Sequence, residues 1–352
     1  MPAKESVFVQ SLVIGAVMFG SIVGAGFASG KEVWFYFAQF GWVCFPLILF
    51  AGLLLFFLGY KFLQFGKRNG IESVQQMNNR LFGKWGFLGE VVFIVSNIIL
   101  LSSMFAGANS LFDIVLNTNA YRFASVLTAV IAIVVSWLGF NKMVKVNVLV
   151  VPLLMIVVFV AFLYCLTFSG DFVVPVSEGA EKMVSAVFLC ILYVCSNLYF
   201  AGFIFARLGK NQSQKSLFFG AMIGAIFLVV CLLGMVISIY LNPYSSMSDM
   251  PLVYIANSVS HSFGIITLIV VWLGIATTAV SLVYTISVWL SKYINSIKIC
   301  SMLVSLVCLV ISGLGFGVIV SYCYPVMGVF GIFFMLRMLY CERKIKKRRE
   351  II

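Results

Sequence analysis

Lys31 and Glu32 stand directly behind Ser29 and Gly30 in the run GSIVGAGFASGKEVW, residues 20–34, inside an apolar stretch long enough to cross a membrane. A charge at the bilayer centre costs roughly 2.5–3.5 kcal/mol, so an adjacent pair there points to work other than spanning. Ser29 and Glu32 also have the S-x-x-E spacing of a capping box. In that box Ser29 accepts from the amide of residue 32 and Glu32 reaches back to the amide of Ser29. The pattern predicts a helix that restarts in mid-membrane, with free N–H groups and the positive end of a dipole facing the gap. Gly20, Gly24, Gly26 and Gly30 each weaken a helix by about 1 kcal/mol relative to alanine, and they concentrate that weakness at 23–30. A rival reading of the same glycines is close helix packing through two G-x-x-x-G notches. Glu32 suits capping or proton carriage, and with Lys31 it is a candidate gating pair.

Other chemistry is excluded by residue type. His261 is the only histidine, and the nine cysteines lie in or at the ends of apolar runs without a C-x-x-C pair. No metal-protease motif, nucleophile motif or paired membrane aspartates are present, so an intramembrane enzyme is not expected. The remaining polar candidates sit inside apolar runs. Ser196 and Asn197, flanked by Tyr193 and Tyr199, are poor helix residues whose side chains compete for backbone groups. Ser102 and Ser103 mark a second run, and Thr277 and Thr278 a third. Each of these hydroxyls could equally bond back to its own helix.

These residues must be positioned by lipid-embedded helices. The chain of 352 residues is 63% hydrophobic and 10% charged, with 35 phenylalanines. A soluble domain could not bury that much apolar surface, and runs of about 20 residues favour helices over barrel strands. Ten candidate spans follow, near 7–40, 43–62, 87–115, 122–140, 146–168, 183–208, 216–241, 263–291, 299–318 and 322–341. The first apolar run is too long for the core of a cleavable signal peptide. As one straight helix, residues 7–40 would reach about 50 Å against a hydrocarbon core of about 30 Å, which a break would relieve.

Of 23 lysines and arginines, 20 fall on one side when the N-terminus is placed inside, which predicts cytoplasmic termini. The net charge of +12 therefore belongs to a membrane face and its lipid rather than to nucleic acid, and the basic tail 342–352 reads as an inner-leaflet anchor. Two halves of similar length, 7–168 and 183–341, each open with an interrupted span, within a single domain covering 1–352.

The stretch VGAGFASGKE resembles the first-helix signature of the YkvI-like amino-acid permeases, bacterial inner-membrane proteins of the amino acid–polyamine–organocation superfamily. The basic connection after the second span and SDMPLVYIA before the eighth extend the resemblance over the whole chain. The resemblance implies an all-α, LeuT-type fold: two inverted five-helix repeats with spans 1 and 6 unwound around a central site. It also implies a sodium ion between carbonyls of Gly20 and Val23 and the run Gly274-Ile275-Ala276-Thr277-Thr278. Relatives with a second sodium carry asparagine where Phe27 stands here. Proton-coupled relatives carry a lysine on span 5, where this chain has none; Glu32, Glu90 and Asp113 keep proton coupling open.

The expected function is secondary transport of a small solute, an amino acid, by alternating access with sodium and no other cofactor. Gly24, Ala25, Gly26, Phe27 and Ala28 are the expected first wall of the substrate site, and Tyr193, Ser196, Asn197 and Ser103 the second. The rival class is an amino-acid sensor on the same fold, without net flux.

Overall fold

The computed structural model describes residues 6–22, 27, 29–116, 123–138, 140–168, 172–175 and 180–349, and every regular element among them is helical. The expected first span divides into α1 (Val7–Ile22) and α2 (Lys31–Tyr36). A 3-10 stretch, Ala38–Val43, bends at Gly41 (φ 61°) and leads into α3 (Cys44–Asn69). Helix α3 runs past the expected end at 62, because Lys61, Lys67 and Arg68 keep apolar stems on the helix and Gly70 (φ 59°) closes it in the left-handed conformation.

The polar connection that follows is itself structured. Its α4 (Val74–Phe82) is capped by Ser73, whose Oγ accepts from Gln76 N–H at 3.1 Å, and it buries Val74, Met77 and Leu81 on one face. Then come α5 (Gly86–Leu116), α6 (Phe123–Ser136), α7 (Phe140–Phe168), α8 (Ala180–Phe200), α9 (Gly202–Gly209) and α10 (Gln214–Leu241). The connection 242–262 contains a 3-10 turn and α11 (Pro251–Val259), with proline at its first position. Helices α12 (His261–Ile294) and α13 (Ile297–Ile311) follow.

The expected connection at 319–321 is absent. The chain instead turns at Ser312–Leu314 and Gly315 (φ 91°), and Ile319–Cys323 is a π-helical turn running directly into α14 (Tyr324–Arg349). The glycine supplies the left-handed backbone that a β-branched residue at 319–321 could not.

Seven helices among the described residues are long and apolar enough to cross a membrane. Three shorter apolar helices, Val7–Ile22, Phe123–Ser136 and Met155–Thr167, lie where the first, fourth and fifth spans were expected. Large apolar side chains such as Leu53, Phe87 and Val310 point outward, as lipid requires, while Ser102, Ser103 and Thr285 are buried. Those interior hydroxyls bond back to carbonyls three or four residues earlier in their own helices.

A close packing notch lies where α1 meets α10: a Cβ at Gly220 would come within 2.5 Å of Ile14, and one at Gly224 within 3.0 Å of Met18. Helix α12 is the hub, packed against α5, α6, α7, α13 and α1, and α14 packs along α8.

Candidate functional site

The interruption of the first span is centred on Gly30. Its N–H donates to Phe27 O at 2.9 Å, its φ is 88°, and α2 then grows from its carbonyl, which accepts from Trp34 N–H at 3.0 Å. Side chains rarely adopt that φ, and a Cβ would also press to 3.0 Å from Pro251 at the start of α11. The capping box forms differently from expectation. Ser29 Oγ accepts from the amide of Lys31 at 3.0 Å rather than from that of Glu32, because the left-handed turn at Gly30 brings the earlier amide round. Val23, Gly24, Ala25, Gly26 and Ala28 lie outside the described residues. Phe27 is fully buried and packs edge-on against Phe19, ring centroids 6.1 Å apart.

Glu32, on α2, is 4% exposed, and among the described residues it makes no ion pair. Tyr36, one turn further along the same face, places its ring 5.4 Å from that of Tyr193 on α8. Phe37 packs edge-on against Tyr193, ring centroids 5.1 Å apart. The hydroxyls of Tyr36 and Tyr193 are both buried without a hydrogen-bond partner among the described residues. A third phenol, Tyr324, shares a 2.5 Å hydrogen bond with Ser103, joining α14 to α5 immediately after the π-helical turn. Helix α2, which carries Glu32 and Tyr36, packs against α8 and against the π-helical turn that precedes Tyr324. The cluster thus brings one carboxyl, three phenols and a serine from α2, α5, α8 and α14 to one place beside the break. Unpaired polar groups are costly to bury and gather where function requires them.

Sequence reasoning found Glu32, Ser103 and Tyr193 but missed Tyr36 and Tyr324. The four-residue spacing of Tyr36 from Glu32 was the available signal for the first. Tyr324 had none, because the π-helical turn that aims it has no sequence mark.

Span 6 is interrupted elsewhere than expected. Ser196 Oγ and Asn197 Nδ2 both donate to Tyr193 O, at 3.0 and 2.8 Å, so these side chains are satisfied within α8 and do not unwind it. The break falls at Ala201 (φ −80°, ψ −2°), between α8 and α9. Helical bonds continue on both sides of it, Ala201 N–H to Asn197 O and Phe205 N–H to Ala201 O, each at 3.0 Å. Span 6 is therefore kinked rather than opened. Its wall is also shaped by α14: a Cβ at Gly331 would lie 2.5 Å from Cys195 O and 3.0 Å from Ser196 N.

Of the expected ion residues, Gly20 lies on α1 and Gly274, Thr277 and Thr278 on α12, two helices that pack together; Val23 lies outside the described residues. Gly20 is buried near the end of α1, and Thr277 and Thr278 are 6% and 5% exposed. Both threonines donate to Gly274 O, at 2.9 and 3.1 Å. That geometry satisfies the helix while leaving the oxygen lone pairs free to accept.

Ionic contacts bracket the site along the bundle. On one side Lys31 Nζ lies 3.3 Å from Asp249 Oδ1 and donates to Ser248 O at 3.3 Å, tying α2 to the segment before α11. At the basic end Lys292 Nζ meets Glu90 Oε1 at 2.7 Å and Gln75 Oε1 at 3.1 Å, tying α12 to α5 and α4. Arg207 of α9 donates to the Tyr284 hydroxyl at 2.9 Å.

No family model matches the chain. It is a homologue of the uncharacterized membrane protein YkvI of Bacillus subtilis (strain 168), 27% identical over 342 residues, covering 94% of this chain and 96% of that protein. The structure is similar to that of MhsT in complex with L-phenylalanine, with a TM-score of 0.63 and 17% identity over 88% of this chain and 79% of the other. Inward-facing Mhp1 gives 0.66 and 13% identity over 96% and 77%. A manganese transporter of Eremococcus coleocola, in a mutant form, gives 0.66 and 12% over 97% and 77%. The fold is therefore the LeuT-type fold of these transporters.

Proposed function

We propose that this protein is a secondary transporter rather than an enzyme, and that it carries an amino acid by alternating access. The observation that carries the reading is the interruption between α1 and α2, set beside buried Glu32, Tyr36, Tyr193 and Tyr324. An unpaired carboxyl with tyrosine faces around it suits the ammonium group of a zwitterionic solute, which gains from both the charge and the rings. In this reading the solute carboxylate meets the amides of residues 24–28, and Ser103 and Ser196 line the remaining wall. Every member of the Glu32, Tyr36, Tyr193, Tyr324 and Ser103 cluster is 4% exposed or less, so the solute enters by a conformational change and not through this closed state.

Sodium is the proposed coupling ion, held by the carbonyls of Gly20, Val23 and Gly274 and the hydroxyls of Thr277 and Thr278. Hard cations take oxygen ligands, and an ion shared by α1 and α12 biases one conformation when bound. The basic-residue distribution supports an inner-membrane location with both termini in the cytoplasm.

The decisive experiment is a thermal-shift screen of the twenty amino acids with and without sodium, followed by counterflow of the stabilising solute in proteoliposomes. Stabilisation followed by counterflow establishes transport. Stabilisation without counterflow makes the protein a sensor, and no stabilisation by any amino acid removes the assigned solute class.

A further inference from the structure

At the basic end of the bundle, α3 and α14 enclose a cavity of about 440 Å³ lined by Phe57, Lys61, Gln64, Arg68, Leu339, Glu342 and Arg343. The α3 residues fall at intervals of four, three and four, which is a single stripe along that helix. The stripe has a gradient. It begins at Phe57, 49% exposed on the lipid-facing surface, passes Lys61, whose Nζ lies 5.9 Å from the centre of the Phe57 ring, and ends at Arg68. Three cations face a single carboxylate, and that carboxylate, Glu342, already holds Arg68 at 2.7 Å. Gln64 is 5% exposed, and its side-chain oxygen has no hydrogen-bond partner among the described residues. Since the two ends of an amide are interchangeable by a flip, Gln64 can offer the cavity either a donor or an acceptor.

The geometry points to a binding site for the phosphate headgroup of an anionic phospholipid, with Lys61, Arg343 and Gln64 on the headgroup and Phe57 and Leu339 along the start of the acyl chains. An apolar mouth leading to an excess of two positive charges matches the order of groups in such a lipid, and basic pockets between membrane helices recognise headgroups in this way. Free phosphate shares the charge but cannot use the apolar mouth. A lipid seated here would pin the end of α14, the helix that carries Tyr324 and Gly331 against the candidate solute site.

The test uses the full chain in neutral detergent, titrated with short-chain phosphatidylglycerol, short-chain phosphatidylcholine or inorganic phosphate while the melting temperature is read. Native mass spectrometry counts the bound lipid. The variants are Lys61→Gln with Arg343→Gln, which leave the Arg68–Glu342 pair intact, and Lys215→Gln as a basic-end control outside the cavity. Phosphatidylglycerol alone should stabilise the wild type. The double variant should need about thirtyfold more of it for the half-maximal shift, at roughly tenfold per 1.4 kcal/mol and two cations lost. The control should match the wild type. Equal titrations of wild type and double variant, an equal response to phosphatidylcholine, or full reproduction by inorganic phosphate would each overturn the site.

Discussion

Lys31 Nζ and Asp249 Oδ1 lie 3.3 Å apart, bridging the restarted half of the first span to the segment that leads into α11. The same ammonium donates to Ser248 O, and the left-handed turn at Gly30 sits against Pro251, so α2 is held at its first turn from two directions. Glu32 lies one residue further on and is closed off from solvent. In the proposed transport cycle the pair would act as a latch over the candidate site.

Asp249→Asn should loosen that latch without unfolding the protein. The two side chains are 20% and 46% exposed, and a pair that exposed is worth about 0.2–1 kcal/mol. Opening of the site should rise by no more than about fivefold. The labelling rate of an introduced Ser29→Cys by a membrane-impermeant maleimide reads it. A rate identical to that in the parent with Asp249 intact would show that the pair closes nothing.

Tyr193→Phe separates stability from function. The Tyr193 hydroxyl is buried and has no partner among the described residues, and removing such a group relieves a desolvation penalty. The solute-free melting temperature should stay level or rise by about 1–3 °C. If the hydroxyl meets the solute, stabilisation by the solute should fall at the same time. A drop in solute-free stability would mean that the hydroxyl has a partner in the folded protein after all.

Glu32→Gln makes a parallel case for charge. No ion pair among the described residues is broken by the change, so the fold should survive with its melting temperature nearly unmoved. An ammonium-bearing solute should lose tenfold or more in affinity, because a charge-assisted contact becomes a neutral one. Unchanged solute affinity in a titrated thermal-shift assay would take Glu32 out of the site.

The break in the first span was legible because it is local. Glycines, a serine and a charged pair within a dozen residues state their preference without reference to the rest of the chain. Span 6 misled for the opposite reason. Ser196 and Asn197 look like helix breakers, yet Tyr193 O satisfies both, and the actual kink falls at Ala201, a residue with no such signature. Tyr36 with Tyr193, and Ser103 with Tyr324, are contacts between distant parts of the sequence, which a single chain read for periodicity does not reveal. Helices α4 and α11 went unseen because they are short and lie in polar connections, where span-length hydropathy has no purchase.

Gly331→Ala tests whether α14 must press on the backbone of α8. The added methyl would stand 2.5 Å from Cys195 O, and main chain cannot yield as a flexible side-chain tip can. Overpacking of this kind costs about 1–3 kcal/mol. Gly234→Ala, whose nearest neighbour would be a Val158 methyl at 3.6 Å, should instead gain the usual helical advantage of alanine. The two changes should move the melting temperature in opposite directions. A shared direction would mean that the α8–α14 contact is looser than the structure gives.

Thr278→Ala addresses the ion. The Thr278 hydroxyl is already satisfied by Gly274 O at 3.1 Å, and Thr277 bonds the same carbonyl, so losing one hydroxyl should cost the fold little. An ion held by both hydroxyls would lose an oxygen ligand and with it most of its affinity, since a hard cation in a buried site has no water to replace the loss. Sodium-dependent thermal stabilisation and sodium-stimulated uptake should therefore vanish together, while the melting temperature in potassium stays close to that of the parent. Thr278→Ser, which keeps the oxygen, should restore the sodium response. A sodium response that persists undiminished in Thr278→Ala would place the coupling ion elsewhere and leave the two threonines as ordinary back-bonded residues of α12.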